Sequence, residues 1–158
     1  MPLVSTVSPR IELPSALERH WQSMRLLQGR IDDAAGRALS AEHGLSLSEY
    51  TALAALHYSD DDGHLRQQIL ADAIPLNQSS LSRLVGRLEK LGLTERYVCP
   101  NDRRGVYTQI TAAGRAKVEE ARPTYLRVLR EHLGEAAESG STAVAQPLGR
   151  TLAEDGGA

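Results

Sequence analysis

Between Gln78 and Leu91 lies a stretch whose residue types suit contact with a polyanion. Wound at about 100° per residue, it puts Leu81, Leu84, Val85, Leu88 and Leu91 on one face. Ser79, Ser82, Arg83, Gly86, Arg87 and Lys90 fall on the other, which carries no acid. Hydroxyls and a helix N-terminus donate to phosphates, and an arginine fork matches guanine N7 and O6. Gly86 leaves no side chain to hold a partner away. A helix entering the major groove needs these properties, although an ordinary solvated face shares most of them.

The next segment favours the first reading. Thr94–Cys99 and 106–111 are rich in β-branched and aromatic residues, and Pro100-Asn-Asp-Arg-Arg-Gly105 separates them. This pattern predicts a β-hairpin with a basic tip. A positive tip beyond a groove-sized helix can reach a minor groove or its phosphates. Asp102 is the exception in the tip and is expected to pair with Arg103, Arg104 or a helix arginine, holding its geometry. From Asn77 to Lys117 there are eight basic residues and three acids, a surplus of five positive charges in a chain of net charge −2. One basic segment on an acidic body is the footprint of a surface that faces a polyanion.

The elements that position these residues follow from periodicity and caps. Leu17, Trp21, Met24, Ile31, Ala35 and Ala38 recur at helical spacing and predict a long helix from Ser15 to about Ser40. Ser46-Leu-Ser-Glu49 is a capping box that opens a second helix, from Leu47 to about Tyr58. Its expected inner stripe is Leu47, Tyr50, Leu53, Ala54 and His57. Asp60–Gly63 reads as a solvated turn. A short helix from about Arg66 to Ala73 should bury Ile69, Leu70 and Ala73, and Ile74 before Pro75 should end it. Asn77 caps the Gln78–Leu91 helix and Gly92 stops it. Two helices joined by a turn of about four residues make a helix-turn-helix. Thr111 caps a helix from Ala112 to about Glu138, which Pro123 should kink. A last helix should reach about Leu152, interrupted at Pro147.

The stretch from Gln78 to Arg96 resembles the recognition helix of the MarR (multiple antibiotic resistance regulator) family. Asn101-Asp-Arg-Arg-Gly-Val-Tyr-Thr-Gln-Ile-Thr-Ala-Ala-Gly114 resembles that family's wing and the start of its next helix. Asp-Arg-Arg followed by Ile-Thr-x-x-Gly is the most specific part, and the order of elements agrees from about Leu17 to Leu152. The resemblance implies a mainly α winged helix-turn-helix regulator over residues 1–158. Its reading module would be at about 47–111, and its dimerisation helices at about 15–40 and 112–153. It implies a homodimer on a roughly palindromic operator in double-stranded DNA, acting as a repressor. It carries groove reading to Gln78, Ser79, Ser80, Ser82, Arg83 and Arg87, and the wing's role to Asp102, Arg103 and Arg104. Pro123 and Pro147 depart from the pattern and bear on dimer geometry.

Dimerisation has independent support. The first helix carries more apolar stripe than one small core would cover. Tyr125, Val128, Leu129, Leu133, Val144, Leu148 and Leu152 form a second apolar set.

Other classes fall away. Apolar residues at 41% and charged residues at 24% are ordinary for a globular chain and unlike a disordered one. No apolar run approaches the ~18 residues of a membrane span, and no signal-peptide core is present, so a cytoplasmic location without membrane partners is expected. Phosphate loops, nucleophile elbows and metalloprotease motifs are absent, which argues against an enzyme and against cofactors. No two of His20, His43, His57, His64 and His132 stand four apart on a helix, so no metal site is expected. His57 is read as a satisfied core histidine. Cys99, the single cysteine, is read as a strand residue and not as an oxidant sensor. Trp21 with His20 could line a pocket for a small aromatic ligand, of the kind the family often binds, but core packing is the favoured reading. A winged-helix protein adaptor without DNA binding is the rival class.

Overall fold

Reciprocal capping boxes start the first two helices of the computed structural model, which describes residues 11–60, 62–145 and 150. Ser15 Oγ accepts from the Glu18 amide while Glu18 Oε2 accepts from the Ser15 amide, both at 3.1 Å. They open α1, Ala16–His43. Ser46 and Glu49 repeat the arrangement at 3.1 and 3.0 Å and open α2, Leu47–His57. Each box satisfies two amides that a helix start leaves without partners.

After α2 come β1 (His64–Arg66), α3 (Gln67–Ala73) and α4 (Gln78–Lys90). Then follow β2 (Thr94–Cys99), β3 (Asp102–Ile110), α5 (Ala112–Glu138) and α6 (Thr142–Ala145). The fold is mainly α, with a winged helix-turn-helix at its centre. Asn77 Oδ1 accepts from the Ser80 amide at 2.9 Å and caps α4 as expected. At the other end Gly92 takes φ +72°. The Leu93 amide reaches back to the Leu88 carbonyl, and the Gly92 amide to that of Glu89, both at 3.0 Å. That pair of bonds is the Schellman stop that glycine permits.

The sheet runs β1-β3-β2, antiparallel throughout. β1 was not expected from sequence: three residues carry no periodicity, and the strand exists because His64–Arg66 pair with Tyr107–Gln109. β3 begins at Asp102 and not at 106, since the hairpin pairing continues to Cys99 opposite Asp102 beyond a register shift.

The chain divides into two compact units. One spans residues 31–130, and the other comprises the described residues of 1–30 and 131–158. The core of the first is Leu39, Leu45, Tyr50, Ala52, Leu53, Leu56, Leu70, Ile74, Leu81, Leu84, Val85, Leu88, Leu93, Ile110, Val118 and Ala121. The expected stripe of α2 is corrected here. Glu49, Ala52 and Leu56 are buried, and Leu47, Ala54 and His57 only partly so. A single stripe describes a helix with one covered face, whereas α2 packs against α3, α4 and β3. On α3, Leu70 is buried but Ile69 and Ala73 are exposed, and Ile74 beyond the helix takes the inner place.

At the end of α1, Thr124 of α5 donates to Glu42 Oε2 at 2.7 Å and Arg127 donates to Oε1 at 2.6 Å. Because the hydroxyl hydrogen goes to Glu42, the His43 Nε2–H must donate to Thr124 Oγ at 2.8 Å. The hydrogen bond from Arg127, and then that from Thr124, holds the Glu42 carboxyl below its ordinary value of 4.5. A lowered folded value gives stability that is present above 4.5 and lost as pH falls through the lowered value. Glu42→Gln should therefore reduce stability at neutral pH and flatten the acid limb of the stability profile. Denaturant midpoints from pH 7 to pH 3 check this, and parallel profiles for parent and variant would refute it.

In the second unit α1 and α5 each contribute one end. Ser23 Oγ lies 3.1 Å from Ser141 Oγ and accepts from the Ala143 amide at 3.3 Å. His20 is buried, but Trp21 is 58% exposed, against the expectation that it packs in the core. Leu148 and Leu152, expected in a last helix, lie outside the described residues.

Candidate nucleic-acid interface

The basic stretch separates into cations that are occupied and cations that are not. Arg96 of β2 donates to Glu89 of α4 at 3.3 Å. Arg115 of α5 donates to the Asp62 carbonyl at 3.1 Å and lies 3.4 Å from His57 Nδ1, and His57 Nε2 lies 2.8 Å from Glu119. Arg115 thus holds the backbone at Asp62 and belongs to the frame. Arg83, Lys90 and Lys117 make no hydrogen bond or ion pair with any described residue, and Arg83 and Lys90 are exposed.

Gln78, Ser79, Ser82, Arg83 and Arg87 are exposed along α4, and Ser80 is half-buried. Opposite them Leu81, Leu84, Val85 and Leu88 are buried. The expected division of faces therefore holds, with one addition that the helix alone could not reveal. Its outer face has no acid of its own, but Glu49 of α2 stands 2.5 Å from Arg87 Nη2. The Glu49 side chain is fully buried and that of Arg87 is 66% exposed. The sequence marks Glu49 as a capping-box residue, but no local signal joins it to Arg87.

Two clefts border α4. One, of about 290 Å³, is lined by Ser46, Ser48, Leu76, Ser80, Arg83, Leu84 and Arg87. It gathers the first turns of α2 and α4, whose free amides suit an anion. The other, of about 250 Å³, is lined by Arg66, Gln67, Gln68, Gln78, Gly105 and Val106. It brings the start of the candidate reading helix beside the root of the wing. Arg66 donates to the Tyr107 hydroxyl at 3.0 Å, and Tyr107 packs with His64 and Tyr97, the ring centroids of the three lying 4.6–6.2 Å apart.

Asp102, Arg103 and Arg104 lie on β3 at the wing's outer end, and Cys99 on β2 opposite Asp102. The Ile-Thr-x-x-Gly signature has a mechanical reason. Thr111 Oγ donates to the Gly92 carbonyl at 2.7 Å and accepts from the Gly114 amide at 3.1 Å. A Cβ at 114 would lie 2.2 Å from the Leu93 carbonyl oxygen. The motif clips the end of α4 to the start of α5.

This arrangement agrees with known proteins. Residues 43–105 match the model of the MarR family. The HTH-type transcriptional regulator MhqR of Bacillus subtilis is 29% identical over 97 residues, which span 61% of this chain and 65% of that protein. The crystal structure of Sco3205, a MarR family transcriptional regulator from Streptomyces coelicolor in complex with DNA, aligns with TM-score 0.68. It is 26% identical, over 89% of this chain and 94% of that one. AbsC, a MarR family transcriptional regulator from Streptomyces coelicolor, shares the fold with TM-score 0.70 at 22% identity, over 91% and 99% of the two chains. Over residues 43–105 the chain is similar to the MarR family, and its fold is that of winged helix-turn-helix regulators. The relatives named here are transcriptional regulators. Among the described residues no helix is long and apolar enough to cross a membrane.

Proposed function

We propose that this protein is a sequence-specific DNA-binding transcriptional regulator, a repressor that binds a pseudo-palindromic operator as a homodimer. The observation that carries the reading is the exposed face of α4. There Arg83 has no partner among the described residues, serines surround it, and two helix N-termini open beside it. In this reading Gln78, Ser79, Ser80, Ser82, Arg83 and Arg87 face the major groove. Asp102, Arg103 and Arg104 form a wing that contacts phosphates or a minor groove. That Sco3205 was solved with DNA supports the assignment.

The partner in assembly is a second copy. Ile11, Trp21, Leu26, Leu133 and Val144 are exposed, and all belong to the unit built from the chain's two ends. Tyr58, Ile69, Leu91, Val98 and Val106 of the other unit are exposed as well, and the terminal helices are favoured because exposed apolar surface suits an interaction site and the resemblance puts the dimer contact there. A ligand that altered the separation of the two reading heads would release the operator, and a small aromatic molecule fits that role.

Light scattering and selection from a random duplex pool test the proposal together. A dimer at micromolar concentration is expected. The selected sites should be imperfect inverted repeats with half-sites about one helical turn, roughly 34–36 Å, apart. No binding to any duplex at low salt would leave the protein-adaptor reading, and direct repeats would overturn the twofold docking.

A further inference from the structure

We infer that Glu49 is a specificity-determining positioning residue. Its buried carboxylate holds Arg87 against α2 and cancels much of that arginine's charge, so that the reading surface carries one restrained cation and one free one. The inference rests on the DNA-binding reading above and deepens it.

Arg83 and Arg87 lie one turn apart on the same face of α4 and line the same cleft with Ser46, Ser48 and Ser80. By residue type and spacing they are equivalent. Their surroundings differ. Arg83 meets no anion among the described residues. Arg87 Nη2 stands 2.5 Å from Glu49 Oε1.

Glu49 has two tasks, one for each oxygen. Oε2 closes the capping box on the Ser46 amide at 3.0 Å. Oε1 is buried without a hydrogen-bond partner among the described residues, so its contact with Arg87 is an ion pair that lacks hydrogen-bond alignment. A buried carboxylate oxygen left without a counter-charge is costly, which binds the guanidinium to this position. Most of the Arg87 side chain remains exposed.

The consequence concerns discrimination. A free arginine beside DNA releases condensed counterions and adds about 0.9 to the salt slope per phosphate neutralised, whatever the sequence. An arginine already paired adds less. Glu49 therefore suppresses sequence-independent attraction at the point where the reading helix meets the duplex, and it fixes the direction of the Arg87 fork.

Glu49→Gln isolates the charge, because glutamine serves at the third position of a capping box as glutamate does. The full-length parent, E49Q, R87A and the E49Q/R87A double variant would be titrated onto a selected operator and a scrambled duplex across a salt series. For E49Q the slope on the scrambled duplex should steepen by about one per protomer. Scrambled-duplex affinity at low salt should rise several-fold, and the ratio of operator to scrambled affinity should fall. Adding R87A should return the slope to the parental value. A scrambled-duplex slope unchanged or shallower in E49Q would overturn the inference, since a merely structural bridge weakens both duplexes together at constant slope. Should the parent bind neither duplex, the DNA-binding reading itself fails and this one with it; a parent that binds while E49Q matches it rejects only the role of Glu49.

Discussion

Arg83→Ala is expected to cost about 1–3 kcal/mol on the preferred operator and to relax base preference at one position in each half-site. Arg83 is exposed, lies close to the first turn of α4 and has no competing partner among the described residues. Its fork is therefore available to a guanine edge, where removing a bidentate pair is felt on the right sequence and little elsewhere. Arg104, on β3 at the wing, should behave differently. Arg104→Ala removes an interaction with phosphate or a narrow groove, so operator and scrambled duplex should weaken together. The salt slope should fall by about one for each protomer, and a dimer should show that decrease twice over. Titration of both variants onto both duplexes at several salt concentrations reads the difference. Equal weakening of the two duplexes by Arg83→Ala, with an operator-only effect of Arg104→Ala, would reverse the assignment of reading helix and positioning wing.

Gly114→Ala should be the most damaging small change to the fold. The added methyl would lie 2.2 Å from the Leu93 carbonyl oxygen and 2.7 Å from Ile110 Cγ1. The first neighbour is backbone, held in the Schellman turn that ends α4, and it accepts from the Thr111 amide at 3.1 Å. It cannot swing aside without breaking that bond. Overpacking of this kind costs about 1–3 kcal/mol, and a backbone obstacle puts this site at the upper end. In a chain of this size that lowers Tm by roughly 2–4 °C per kcal/mol. Gly86→Ala is the control. A Cβ there meets nothing within 4 Å, and alanine exceeds glycine in helix propensity by about 1 kcal/mol, so Tm should hold or rise. Thermal unfolding of the two variants decides, and a Gly114→Ala protein as stable as the parent would contradict the clip.

What could be read from the sequence was local. Asn77, Gly92, the Ser46–Glu49 box and Thr111 act on amides and carbonyls a few residues away, so their element boundaries agree with the structure to within a residue or two. The two faces of α4 were legible for the same reason, since one amphipathic helix reports its own buried side. Features made by distant partners were not. β1 exists through pairing with β3. The burial of Ala52 and Leu56 comes from α2 being covered by α3, α4 and β3. By its charge Arg115 belongs to the basic stretch, and only the folded chain reveals that it donates to the Asp62 carbonyl. Arg87 and Arg83 are alike in chemistry and spacing; the acid that distinguishes them arrives from another helix.

The hairpin is seated more firmly at one end than at the other. Tyr107 and Thr108 pair with β1 on one side and β2 on the other, while the register shift between Tyr97 and Cys99 separates that base from the Cys99–Asp102 pair at the tip. Because β1 runs directly into α3, the base belongs to the same piece of framework as the helix-turn-helix. Residues can be inserted or removed around Pro100 and Asn101 without altering the pairing of Tyr107 or Thr108. The wing's length is thus a free parameter of the fold: the tip can be lengthened or shortened while the base, and the helix-turn-helix it is built into, stay as they are.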